Sequence, residues 1–233
     1  MIVRGSHHKF RESQRLLVFW ALMGVAGYLG AFTYCIRGGV FCNAQTANFV
    51  LFAMAIGRLD LKAAAYLLIP ISSYFIGTVI SERLRISVKT VGPLRWDTVL
   101  VGIEVIVTFA LGLLPETAPY QITQVAVNFI CSMQYNTFRQ AEGTPMATTF
   151  CTNHVRQAGA HFDAWRRKRH KIELTRSLMH LSMIGVFVLF GIISAVLCGL
   201  VAGKAIWGAS VLLAVVFADL LYADLVSERG VKI

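Results

Sequence analysis

Six apolar runs, divided by short polar or basic breaks, constrain this chain of 233 residues more than any other feature. They cover about 16–36, 61–84, 96–114, 119–140, 174–202 and 205–226. Each approaches or exceeds the ~20 residues a helix needs to cross a hydrocarbon layer. A chain in lipid must satisfy its backbone groups internally, so runs of this length predict helices rather than open sheet. Composition agrees, with 56% of residues hydrophobic and only 15% charged, where a soluble domain carries about a quarter. The expectation is an all-α polytopic membrane bundle forming a single domain over 1–233.

The net charge of +10 raises nucleic acid as a partner. The basic residues, however, cluster between the apolar runs, where orientation in a bilayer requires them, so no nucleic acid is expected. The five cysteines (Cys35, Cys42, Cys131, Cys151 and Cys198) are dispersed, without CxxC or Cys/His ligand spacing. They read as small apolar residues. The first run is too long for the core of a cleaved signal and reads as a first span. His7 and His8 in the opening GSHH carry no clear message.

Two stretches fit no span. The first, GGVFCNAQTANFVLFAMAIG over 38–57, opens on a glycine pair, passes through Asn43, Gln45, Thr46 and Asn48, and turns apolar. Its second half is a helix of about a dozen residues, ~18 Å long and too short to cross. A related stretch, with the same polar opening, covers 144–162. Charge counting decides how they sit. If neither crosses, then Arg4, Lys9, Arg11 and Arg15, the 83–95 loop, the 166–171 cluster, and Arg229 with Lys232 share one side. The other side keeps Arg37, Arg58, Lys62 and Lys204. That bias makes the rich side, with both termini, cytoplasmic. Letting one or both stretches cross misplaces the 83–95 loop.

The result is six transmembrane helices in an inverted 3+3 repeat with two broken or re-entrant half-helices, the halves covering about 16–114 and 119–226. A shift of 106 sets Thr46 on Thr152 and Asn48 on His154, while a shift of 105 sets Asn48 on Asn153. The register is open by one. Inverted repeats with paired interrupted segments are a common build for transporters, with the site where the interruptions meet.

The glycine-led approach, then FCNAQTANFVLFAMAIG and later TTFCTNHV, resembles the YoaK family of bacterial integral membrane proteins. The resemblance implies about six spans, a bacterial inner-membrane location and no assigned activity. Family members carry T-G-N in the first motif and T-T-x-x-T-G in the second. Here these read Thr46-Ala47-Asn48 and Thr148-Thr149-Phe150-Cys151-Thr152-Asn153, so both motif glycines are replaced, as in a divergent member.

The candidate site follows from the polar residues. On the fourth run Gln121, Gln124, Asn128 and Ser132 recur at helical spacing and form a stripe that must face helices or water. Thr46, Asn48, Thr149, Thr152 and Asn153 lie near presumed helix starts. On one reading they only cap free backbone N–H groups. On the other, two opposed helix N-termini, each partly positive, frame a polar site lined also by Gln45, Gln124, Asn128 and Gln134. The substrate-binding candidates are therefore Gln45, Thr46, Asn48, Gln124, Asn128, Thr149, Thr152 and Asn153, suited to a small polar solute.

Glu104, in mid-span, and Asp219, in the last run, are the proton-coupling candidates, since a carboxyl inside a membrane is costly. The plain alternatives are that Glu104 pairs with a buried amide or arginine, and that Asp219 lies near an interface. His154 and His161, with Asp163 nearby, share a helix face, but Arg156 and the 166–171 cluster repel cations, so no metal is expected. His180 reads as a packing residue. No P-loop, dinucleotide fingerprint, HExxH or GxSxG occurs, which predicts neither an enzyme nor a cofactor. Two functions remain: a transporter or permease for a small polar solute, or a non-transporting membrane partner or regulatory protein whose polar stripe joins helices. Membrane lipids are expected partners in either case, and oligomerisation stays open.

Overall fold

The structure, a computed structural model, describes residues 10–228. His7, His8, Arg4, Lys9, Arg229 and Lys232 lie outside the described residues. A 3-10 turn at Glu12–Gln14 leads into helices α1 (Leu16–Ile36), α2 (Gln45–Gly57), α3 (Leu61–Ser87), α4 (Trp96–Leu111) and α5 (Tyr120–Thr137). Helices α6 (Thr152–Lys168), α7 (Lys171–Val201) and α8 (Trp207–Tyr222) follow.

Three helical segments are long and apolar enough to cross a membrane: Leu16–Ile36, Leu61–Ser87, and a continuous Lys171–Ser227 that holds both α7 and α8. The last two apolar runs are thus one helical stretch, bent through a 3-10 turn at Ala202–Ile206 where Ala202 takes φ +47°. The third and fourth runs are not among the three. Helix α4 has 16 residues, about 24 Å at 1.5 Å per residue, and α5 carries the amide stripe.

The elements stop where their residues demand it. Helix α1 ends at Arg37 because Gly38 (φ +83°) and Gly39 (φ +71°) take left-handed backbone that side chains disfavour. Helix α3 starts cleanly because the Asp60 carboxylate accepts from the Ala63 N–H at 2.9 Å, a cap worth ~1 kcal/mol.

Two short antiparallel hairpins were not expected: β1 (Thr90–Val91) with β2 (Leu94–Arg95), and β3 (Gln140–Ala141) with β4 (Thr144–Pro145). The second turns on Glu142 (φ +48°) and Gly143 (φ +76°), the positive pair that a tight two-residue hairpin needs. It ends α5 at Thr137, short of the expected 140.

Polar contacts fix the helix directions. Trp20 donates to Ser182 Oγ at 2.8 Å and Gly27 faces Phe187, so α1 and α7 run parallel. Ser73 donates to the Val125 carbonyl and Ser81 to that of Met133, so α3 and α5 run parallel too. Ser210 donates to Thr108 and Thr98 to Asp224, which makes α4 and α8 antiparallel. Both hairpins, the starts of α1, α4 and α7, and the ends of α3, α5 and α8 therefore gather at one end, the hairpin end. Helix α1 is the axle of the core, with Phe19, Leu22, Met23, Leu29 and Phe32 buried. Facing outward are exposed apolar side chains such as Phe75, Ile106, Val188 and Val211, a surface that hydrocarbon could cover.

Candidate functional site

The two stretches that fitted no span dip into the bundle and return to the end they left. Beyond Arg37 the chain turns inward until Asn43 donates to the Ala26 carbonyl at 2.8 Å, at the middle of α1. Gln45, the first residue of α2, donates to Asn128 Oδ1 at 2.7 Å, midway along α5. Helix α2 then runs back along α3 to the far end.

The second dip starts from the hairpin end. After β4 the chain buries Met146, Ala147, Thr148 and Thr149, and Gln134 donates to the Thr148 carbonyl at 3.5 Å. Thr149 reaches the Tyr74 hydroxyl, at the middle of α3, and Cys42 of the first dip lies near the same tyrosine. The two dips thus meet from opposite ends around Tyr74. The hydroxyls of Thr148 and Thr149 are buried there without a hydrogen bond of good geometry among the described residues.

The return helix α6 corrects an expectation. It is not a half-length element ending at 162. It is a polar helix of 17 residues that carries Arg166, Arg167 and Lys168 in its last turn and packs along the first half of α7. Arg169, at φ +57°, ends it, so the basic cluster belongs to a helix end rather than to a free loop.

Four of the candidate residues form one chain of amides. Asn48 accepts from the Phe41 N–H at 3.3 Å and donates to the Phe41 carbonyl at 2.8 Å. It also donates to Gln45 Oε1, Gln45 donates to Asn128, and Asn128 donates to the Gln124 carbonyl. Gln124 closes the series on the Arg37 carbonyl at 2.6 Å and the Tyr66 hydroxyl at 2.7 Å. Asn48 does not cap its helix, for the N-cap positions of α2 and α6 are Ala44 and Cys151, and neither makes a side-chain cap bond. Asn48 instead clamps the peptide seven residues before it.

The equivalent position in α6 does the same. His154 Nε2 lies 2.9 Å from the Ala147 carbonyl, again seven residues upstream. Thr46 and Thr152 are both exposed, and Asn153 accepts a bond from Arg156 at 3.3 Å. These three stand away from the meeting point of the dips.

Glu104 is fully buried in α4, with both carboxyl oxygens lacking a hydrogen-bond partner among the described residues. It lies near Cys131 of α5, which in turn faces Cys42. Asp219 is elsewhere, at the hairpin end beside Glu12. Burial and Asp219 together hold the Glu12 carboxyl above the usual carboxylate range. The two proton-coupling candidates therefore do not share a site. Sequence reasoning missed Arg37, Asn43 and Tyr74; of these only Asn43, inside the polar opening of the first dip, gave a signal.

His180 is not an isolated packing residue. Its Nδ1 lies 2.9 Å from His154 Nδ1, and its ring stacks on His161, whose Nδ1 is 2.6 Å from Glu173. Among the described residues no group of three or more His, Cys, Asp or Glu is placed to hold a metal ion. A carbonyl only accepts, so His154 Nε2 carries the proton and Nδ1 accepts from His180.

Burial holds the His154 imidazole below the ordinary range. An unfolded histidine takes its proton near pH ~6.5 and the folded one only below that, so the unfolded chain binds more protons in between and stability falls as pH falls through that window. Acidification from about pH 7.5 to about 5.5 is expected to loosen residues 146–151, read as smaller amide protection factors once the intrinsic slowing of exchange at lower pH is corrected for. His154→Gln, which keeps a donor for Ala147, is expected to flatten the response. Wild-type protection factors that ignore pH would contradict a His154 held neutral by burial.

A family model described as a protein of unknown function (DUF1275) matches residues 18–218, from α1 into α8. No curated protein and no solved structure gives a match.

Proposed function

The chain belongs to the DUF1275 family, whose function is unknown, and from that premise we propose that it is a transporter or permease for a small polar solute in a bacterial cytoplasmic membrane. The observation that carries this reading is the matched pair of clamps. Asn48 on Phe41 and His154 on Ala147 each bind a carbonyl seven residues back, and they are related by the shift of 106 rather than 105.

The packing follows the same relation. With α1 matched to α5, α3 to α7 and α4 to α8, the α1–α7 pair corresponds to α5–α3 and the α2–α3 pair to α6–α7. The α1–α8 pair corresponds to α5–α4, and α4–α8 maps onto itself. On this reading the protein has six spans in two inverted halves, each with a dipping segment. The hairpin end, with Arg85, Lys89, Arg139 and the α6 cluster, is cytoplasmic. The narrower resemblance to the YoaK family rests on the two threonine motifs.

The solute would lie where the dips meet, near Tyr74, against the buried Thr148 and Thr149 hydroxyls and the amide series. Glu104 is the proton-coupling group on this reading, because its buried oxygens have no bond to accept. Vesicles reconstituted with the purified protein and given an inward proton gradient should accumulate one or more small polar solutes from a panel. Glu104→Gln should lower that uptake by at least about tenfold, as loss of a coupling carboxyl would. Uptake no greater than in empty vesicles across the panel would count against transport.

A second reading is favoured by one observation. Gln45, Asn48, Asn128 and Gln124 bond mainly to one another and to backbone, as they would if the stripe only joined helices in a non-transporting membrane partner. The same vesicles decide between the two.

A further inference from the structure

We propose that a cleft at the hairpin end binds a small oxyanion of the phosphate class, offered either as a soluble anion or as a lipid headgroup. The cleft measures about 840 Å³ and lies between the segment before α1, the ends of α3 and α5, and the two hairpins. Its volume is that of a small-ligand site. Five cations line it (Arg11, Arg85, Lys89, Arg95 and Arg139) against one acid, Asp97.

The pairing of these cations leaves room for an acceptor. Arg95 is committed to Asp224 and Glu228. Arg85 and Arg139 share the single carboxylate of Glu82, although each guanidinium has five N–H donors. The floor is aromatic, with Phe19 and Phe138 packed edge to face at 6.2 Å. Beside them Trp96 is 8% exposed, and its indole N–H is buried without a hydrogen-bond partner among the described residues. A buried donor of this kind is rarely left unmet, and an oxyanion oxygen would satisfy it. Trp96 also opens α4, whose start has no side-chain cap and whose dipole favours negative charge.

The site is independent of transport. Binding to the purified full-length protein reads it directly, so failed uptake in vesicles leaves it standing and failed binding leaves the transport reading standing. Thermal unfolding in detergent would be compared in potassium phosphate and in potassium chloride of equal ionic strength, which removes simple screening. A parallel arm would compare nanodiscs containing phosphatidylglycerol with nanodiscs of phosphatidylcholine.

A higher midpoint with inorganic phosphate identifies a soluble anion, and a response to phosphatidylglycerol alone identifies a headgroup. In either case Arg85→Gln with Lys89→Gln should weaken the effect by about tenfold or more, while Lys89→Arg keeps it. Trp96→Phe, which removes the N–H along with part of the ring, should also weaken it. No shift beyond the matched controls in either arm, or an Arg85→Gln/Lys89→Gln protein that responds as wild type does, would overturn the site.

Discussion

Gly27→Val is expected to separate α1 from α7 and leave little folded protein. A Cβ at Gly27 would lie 2.1 Å from the backbone carbonyl oxygen of Phe187. No rotamer can relieve a clash with backbone, so the helices must move apart. The cost should exceed the ~1–3 kcal/mol of ordinary overpacking. Small residues permit such close helix contacts, and their loss removes dispersion along the whole interface. The core side chains of α1, Leu22, Met23 and Leu29, would lose part of their packing as well.

Gly185 supplies the control. It is a helix residue of α7 with nothing within 4 Å of an added Cβ, so Gly185→Ala should be neutral or stabilise by up to ~1 kcal/mol. Unfolding of detergent-purified protein by increasing SDS would compare the two. Equal midpoints for Gly27→Val and wild type would refute the α1–α7 packing.

The second large effect belongs to Asn48. Removing its amide, at a fully buried position, takes away the bonds it makes to the Phe41 N–H and carbonyl and to Gln45 Oε1. Orphaned buried polar groups cost ~1–3 kcal/mol each, so Asn48→Ala should destabilise by about 2–4 kcal/mol, allowing for partial relaxation. Amide exchange should rise first across residues 40–43. Thr152→Ala, at an exposed position, should stay within ~0.5 kcal/mol of wild type. Similar losses for both variants would mean that the dip is not held by the Asn48 clamp.

The apolar runs were readable because hydrophobic length is a local property, and Leu16–Ile36 has the bounds the sequence predicts. The depth of the dips was not readable. It depends on Asn43 meeting Ala26 and Gln45 meeting Asn128, contacts between elements far apart in sequence. Helix α6 was cut short at 162 because a run of arginines and lysines reads as a loop, although both are good helix formers.

The hairpins hid inside connections already assigned as loops, with Gly92-Pro93 and Glu142-Gly143 as their signals. Among the candidate residues, Gln45, Asn48, Gln124 and Asn128 shared a helix face or a dip and came together. Thr46 and Thr152 turned outward because neighbouring helix positions point in different directions. His180 gave no signal, since one histidine in an apolar run reveals nothing about a partner 26 residues away.

If the two dips enter from opposite faces, the connections beside them must fall on defined sides of the membrane. Single cysteines at Lys89, Arg167, Leu59 and Lys204, in a protein with Cys35 and Cys151 replaced by alanine, would be probed with a membrane-impermeant thiol reagent in sealed vesicles of known orientation. Positions 89 and 167 should react from the cytoplasmic face and positions 59 and 204 from the other. Reaction of Lys89→Cys and Arg167→Cys from opposite faces would contradict this arrangement.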